Sequence, residues 1–61
     1  MDLQQAITEI KNGNTKIYLS EEYLPNLEYI GEDLNIKQKP QYCGKYFILT
    51  YKRKTVYIYV S

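Results

Sequence analysis

Histidine and tryptophan are absent from this chain of 61 residues, and cysteine occurs once. Each shortage excludes something. General acid–base catalysis most often uses histidine, so that chemistry loses its usual agent. Cys43 has no histidine to lower its pKa, and a nucleophilic thiol needs one lowered. One cysteine cannot form an intramolecular disulfide or build a structural zinc site. Gly13, Gly31 and Gly44 stand singly, so no glycine-rich loop cradles a phosphate. No apolar run reaches the length needed to cross a membrane. The residues point away from an enzyme, with no cofactor and no metal expected. Cys43 itself reads as a small half-buried residue beside a turn.

The length allows one domain, residues 1–61. So short a chain buries only about 60% of the surface it exposes when unfolded. Its core supplies roughly 3–5 kcal/mol of net stability. Disulfides and zinc being excluded, a partner or a second copy of the chain is the expected extra support. The start, Met1-Asp2-Leu3-Gln4-Gln5, has neither the basic residues nor the apolar segment of a signal peptide. A lone free thiol suits a reducing interior, so the expected compartment is the cytoplasm of a host cell.

What the chain does have is charge polarity. The net charge is +1, yet residues 1–36 carry seven acids against two lysines, and residues 37–61 carry six basic residues and no acid. Such asymmetry either pairs internally or marks an electrostatic partner.

Leu3, Ala6, Ile7 and Ile10 follow the spacing of one helical face, with Asp2 placed to cap the start and Asn12-Gly13-Asn14 to stop it. A helix this short must pack on a sheet. Thr15 to Leu19 reads as a strand, Ile17 and Leu19 facing one way and Tyr18 the other. Ser20-Glu21-Glu22 reads as a cap and the first turn of a helix that Pro25 limits. Leu24, Leu27 and Ile30 suggest a second helical turn that Gly31 breaks. Leu34 and Ile36 alternate with polar neighbours as a possible strand, and Lys39-Pro40-Gln41 reads as a loop.

The clearest element is a C-terminal β-hairpin. Residues 46–51 and 56–60 are rich in β-branched and aromatic residues. Pairing Tyr51 with Val56, Leu49 with Ile58 and Phe47 with Val60 gives one nearly apolar face. The other carries Tyr46, Ile48, Thr50, Tyr57 and Tyr59. A slip of one residue would mix the two sets. Without Gly, Asn or Asp for a two-residue primed turn, a four-residue loop from Lys52 to Thr55 is expected. The fold class is therefore α+β: a short N-terminal helix on a small three- or four-stranded, mainly antiparallel sheet ending in the hairpin. The helix is expected on the Phe47/Leu49/Val56/Ile58 face, leaving the fate of the tyrosine face open.

Two surfaces are candidates for binding. The first is acidic: Glu21, Glu22, Tyr23, Glu28, Tyr29, Glu32 and Asp33 interleave carboxylates with rings, which imitates nucleic acid to a basic protein cleft. The second is basic: Lys52, Arg53 and Lys54 at the hairpin tip with Tyr57 and Tyr59 on the strand would contact phosphates and stack bases. A third use of the tyrosine face is a homodimer.

Leu24 to Ile36 resembles one unit of an irregular leucine-rich repeat, which implies a strand at residues 34–36 with Ile17-Tyr18-Leu19 as the preceding rung. Ala6-Ile7-Thr8-Glu9-Ile10-Lys11-Asn12 followed by Ile17-Tyr18-Leu19-Ser20 resembles the start of small phage-encoded anti-CRISPR proteins, which have a short helix, a strand and a β-hairpin. That resemblance implies an acidic inhibitor seated in the DNA-reading groove of a CRISPR nuclease. This chain departs from it in its basic C-terminal half, and no site residue carries over. The leading expectation is a small non-enzymatic phage or mobile-element protein that binds and inhibits a host protein concerned with nucleic acid or defence. The alternatives are a nucleic-acid-binding module and a structural homodimer. No membrane is expected as a partner.

Overall fold

A computed structural model describes all residues, 1–61. Helix α1 spans Leu3–Lys11, strand β1 Lys16–Leu19, a 3-10 stretch Glu21–Asn26, helix α2 Glu28–Asp33, and strands β2, β3 and β4 span Gln41–Tyr42, Phe47–Tyr51 and Lys54–Val60. The four strands form one mixed sheet in the order β1-β4-β3-β2. β4 is central, antiparallel to β3 and parallel to β1. The class is α+β, as the residue pattern implies.

The Asp2 carboxylate caps α1 by accepting from the Gln5 N–H at 2.7 Å. Both helices end in the same way. Past α1, Gly13 takes φ +98° and its N–H donates to the Ile10 carbonyl, while the Asn14 N–H donates to Glu9. Past α2, Asn35 takes φ +57°, its N–H donates to Glu32, and the Ile36 N–H donates to Gly31. This paired pattern is the Schellman motif, which satisfies carbonyls the helix leaves orphaned.

Several expectations are corrected in this region. Gly31 does not break a helix: it lies inside α2, buried, where a Cβ would sit 3.1 Å from the Gln38 carbonyl oxygen. Its lack of a side chain lets the following loop lie against the helix. Leu34 to Ile36 is consequently a helix end and not a strand, so the repeat-like rung does not form; the remaining strand is Gln41–Tyr42, which begins inside the expected Lys39-Pro40-Gln41 loop. Ser20, at the expected cap, makes no side-chain capping bond.

The hairpin register differs by two residues from the expected one. Phe47 pairs with Ile58, Leu49 with Val56 and Tyr51 with Lys54. A two-residue slip leaves every side chain on its own face, so hydrophobic patterning cannot see it. The loop has two residues and not four: Lys52 and Arg53 take φ +50° and +68°. Positive φ at both central positions is the signature of a type I′ turn, whose twist matches that of the strands. Non-glycine residues hold this conformation at a cost of about 1–3 kcal/mol each.

The core is one cluster. Ala6, Ile7 and Ile10 from α1, and Leu27, Ile30 and Leu34 around α2, meet Ile17, Leu19, Leu49, Val56 and Ile58 from the sheet. Both helical segments thus cover the same, aliphatic face, α1 packing chiefly along β1 and sharing the core with Leu49, Val56 and Ile58. No element of the chain covers the tyrosine face.

Candidate functional site

The uncovered face is assembled by strand pairing. Val56 and Ile58 point into the core, so Tyr57 and Tyr59 point away. The parallel pairing of β1 sets Lys16 beside Tyr57 and Tyr18 beside Tyr59, and β3 sets Ile48 on the other side of Tyr57. The Tyr18 and Tyr59 rings stack, with centroids 5.3 Å apart and planes at 18°. Tyr46, just before β3, meets Tyr57 and Tyr59 edge-on at 5.2 and 5.4 Å. Four tyrosines therefore form one connected aromatic surface. Tyr18 is 58% exposed and the other three are half-buried against one another. No strand contains a carboxylate, and Lys16 is the one charged strand residue on this face, since Lys54 shares the side of Val56 and Ile58.

The acidic candidates lie elsewhere, in the layer over the opposite face. Glu21 and Glu22 are on the 3-10 stretch, and Glu28, Tyr29, Glu32 and Asp33 on α2; all six are exposed. Tyr23 is not a free surface group: it is half-buried and packs against the core. Burial raises its hydroxyl pKa, and the Glu22 and Asp2 carboxylates push it the same way. The acids are not neutralised within the fold. The one ion pair is Lys39 to Glu28 at 3.8 Å, exposed on both sides. The charge asymmetry of the two halves thus survives folding as unpaired surface charge. Glu28, Glu32 and Asp33 do not converge on a metal-holding arrangement.

The basic candidates are split by the fold. Lys52 and Arg53 form the tip, Lys54 faces the helical side, and Tyr57 and Tyr59 belong to the open face. Six residues of extended chain separate Arg53 from Tyr59, about 20 Å. These five residues are two surfaces and not one. Cys43 is exposed, where a half-buried position was expected. No helix is long and apolar enough to cross a membrane.

Of this surface, the candidate sites read from the residues hold only Tyr57 and Tyr59; Tyr46 is placed on the face but not among them, and Tyr18 and Lys16 are missed. The signal for Tyr18's direction was present in its alternation with Ile17 and Leu19. Its position beside Tyr59 depends on a parallel pairing between segments some forty residues apart in the chain. No protein-family model matches the chain, and no curated protein or solved structure is significantly similar to it.

Proposed function

We propose that this is a non-enzymatic protein that binds another protein and blocks it, docking through the tyrosine face of its sheet. The observation that carries the reading is the four-tyrosine cluster on a face no element covers, free of carboxylates and with one lysine beside it. Protein interfaces are enriched in tyrosine and depleted in Lys, Glu and Asp at their centres, and tyrosine is prominent among their energetic anchors. The unpaired carboxylates of residues 21–33 would steer approach to a basic partner and form the second contact. The anti-CRISPR resemblance supplies the target class: a host protein of nucleic-acid handling or defence, met by a phage or mobile-element product. The test is a pull-down at low salt from the cell that carries this chain, with wild type and the Tyr57→Ser/Tyr59→Ser variant. A protein retained by the first and lost by the second is expected. Retention of nothing, or of the same protein by both, overturns the reading. A second copy of this chain is also a protein partner, and sedimentation showing a dimer that the variant abolishes would identify it.

Nucleic-acid binding is a second reading, favoured by the carboxylate-free basic tip. Its mark is a steep loss of oligonucleotide affinity with salt. The tip and the tyrosines would then have to engage different parts of a strand.

A further inference from the structure

Behind the hairpin tip, on the helical side of the sheet, is a cavity of about 100 Å³ between the end of α1 and the base of β4. Lys11, Lys52 and Lys54 are among the residues that line it, Ile10, Tyr51 and Val56 give it an apolar wall, and no carboxylate lines it. The Lys52 ammonium lies 5.3 Å from the centre of the Tyr51 ring. Three lysines that share the wall of one cavity repel one another, and an oxyanion held among them offsets that repulsion. The carbonyls of Thr8, Glu9 and Ile10 at the adjoining helix end already accept backbone N–H groups, so they compete less with an incoming anion.

The turn supplies an independent observation. Lys52 and Arg53 both hold positive φ, where Asn-Gly would sit with far less strain. A backbone held in a disfavoured conformation where Asn-Gly would relieve it points to a use for the side chains present. We propose that this cavity binds a phosphate group, with Lys11, Lys52 and Lys54 as its donors and Arg53 contacting whatever carries it. The volume takes the phosphate and leaves the remainder of the ligand outside, over the exposed tip. The site lies across the sheet from the tyrosine face and stands independently of the reading given to that face.

The test is an NMR titration of the whole labelled chain at low salt with inorganic pyrophosphate and, in parallel, with a short single-stranded oligonucleotide. Amide shifts concentrated at Lys11, Gly13 to Thr15, Lys52 and Lys54 are expected. Shifts with both probes mean that free phosphate suffices; shifts with the oligonucleotide alone mean that the phosphate arrives on a strand. The Lys52→Asn/Arg53→Gly variant should melt about 5–10 °C higher, because the turn is relieved, while pyrophosphate or oligonucleotide affinity falls about tenfold or more. Lys11→Gln, which leaves the turn alone, should weaken the same binding several-fold with the fold unchanged. No shift with either probe, shifts spread equally over Lys16, Lys37, Lys39 and Lys45, or full affinity in both variants overturns the proposal.

Discussion

The two faces of this sheet are built to different specifications. The covered face is aliphatic: Ile17, Leu19, Leu49, Val56 and Ile58 are all nearly inaccessible beneath α1 and α2. The open face carries Tyr18, Tyr46, Tyr57 and Tyr59 with Ile48, Thr50 and Thr55 between and beside them. A chain of 61 residues has enough helix to cover one face only. The other must remain soluble in the free molecule and yet be worth burying. Aliphatic residues meet only the second condition. Tyrosine meets both, because its hydroxyl stays with water while its ring gives area and preferred edge-on or offset partners. The side chains are divided by what they meet in the free molecule: the chain's own helices on one side and water on the other.

Ile58 and Ile48, on opposite faces of neighbouring strands, should separate the two faces most strongly. Ile58 is completely inaccessible at the centre of the covered face. Ile58→Ala should cost about 3–4 kcal/mol, the cost of a buried cavity. A domain of this size is stable by only about 3–9 kcal/mol in total. Circular dichroism should therefore show the melting midpoint fall by more than about 12 °C. Ile48→Ala, half-buried on the open face, should cost less than about 1.5 kcal/mol by the same measurement. If the two cost the same, the tyrosine face is buried in solution, and self-association is the first explanation to test.

How far the sequence shows this division depends on which interaction decides each feature. Alternation along residues 46–51 and 56–60 assigns each residue to its face, because burial is a local periodic signal. It cannot set the register, because moving Leu49 from Ile58 to Val56 keeps every side chain in place. The register is settled by the turn, and the turn runs against its residues: nothing about Lys52-Arg53 announces a primed geometry. Likewise Gly31 has the composition of a helix breaker, and only the approach of the Gln38 carbonyl shows why it is inside one. The open site was half legible. Tyr46, Tyr57 and Tyr59 share a face by alternation, whereas Tyr18 and Lys16 join through a long-range parallel pairing that leaves no local trace. The separation of the basic tip from Tyr57 and Tyr59 is a matter of direction and distance that follows only from the register.

On the open face the expected effect is smaller and of another kind. Tyr59 touches both Tyr18 and Tyr46, and each aromatic pair contributes about 0.5–1.5 kcal/mol beyond area burial. Tyr59→Ala should cost about 1–2 kcal/mol in urea unfolding, well below Ile58→Ala. A double-mutant cycle with Tyr18→Ala should return a coupling of about 0.5–1.5 kcal/mol. Zero coupling would mean that the two rings do not stack in the free protein. Docking should then suffer more than stability, the reverse of the covered face.

The smallest effect concerns the cover itself. Tyr23 packs on the core from the 3-10 stretch, and burial, together with the Glu22 and Asp2 carboxylates, raises its hydroxyl pKa above the ordinary 10.0. The folded state therefore holds this proton more tightly than the unfolded chain does. Its contribution to stability is fully present below pH 10.0 and is lost as the pH rises from there through the raised folded value. Tyr23→Phe keeps the ring and removes the proton. Urea midpoints of wild type and Tyr23→Phe should run parallel up to about pH 9.5 and diverge above it, wild type falling faster. Every other residue is the same in both proteins, so the difference between the curves isolates Tyr23. Curves that stay parallel to pH 11 would mean that Tyr23 lies free in solution, with the helical layer looser on its sheet than the aliphatic core implies.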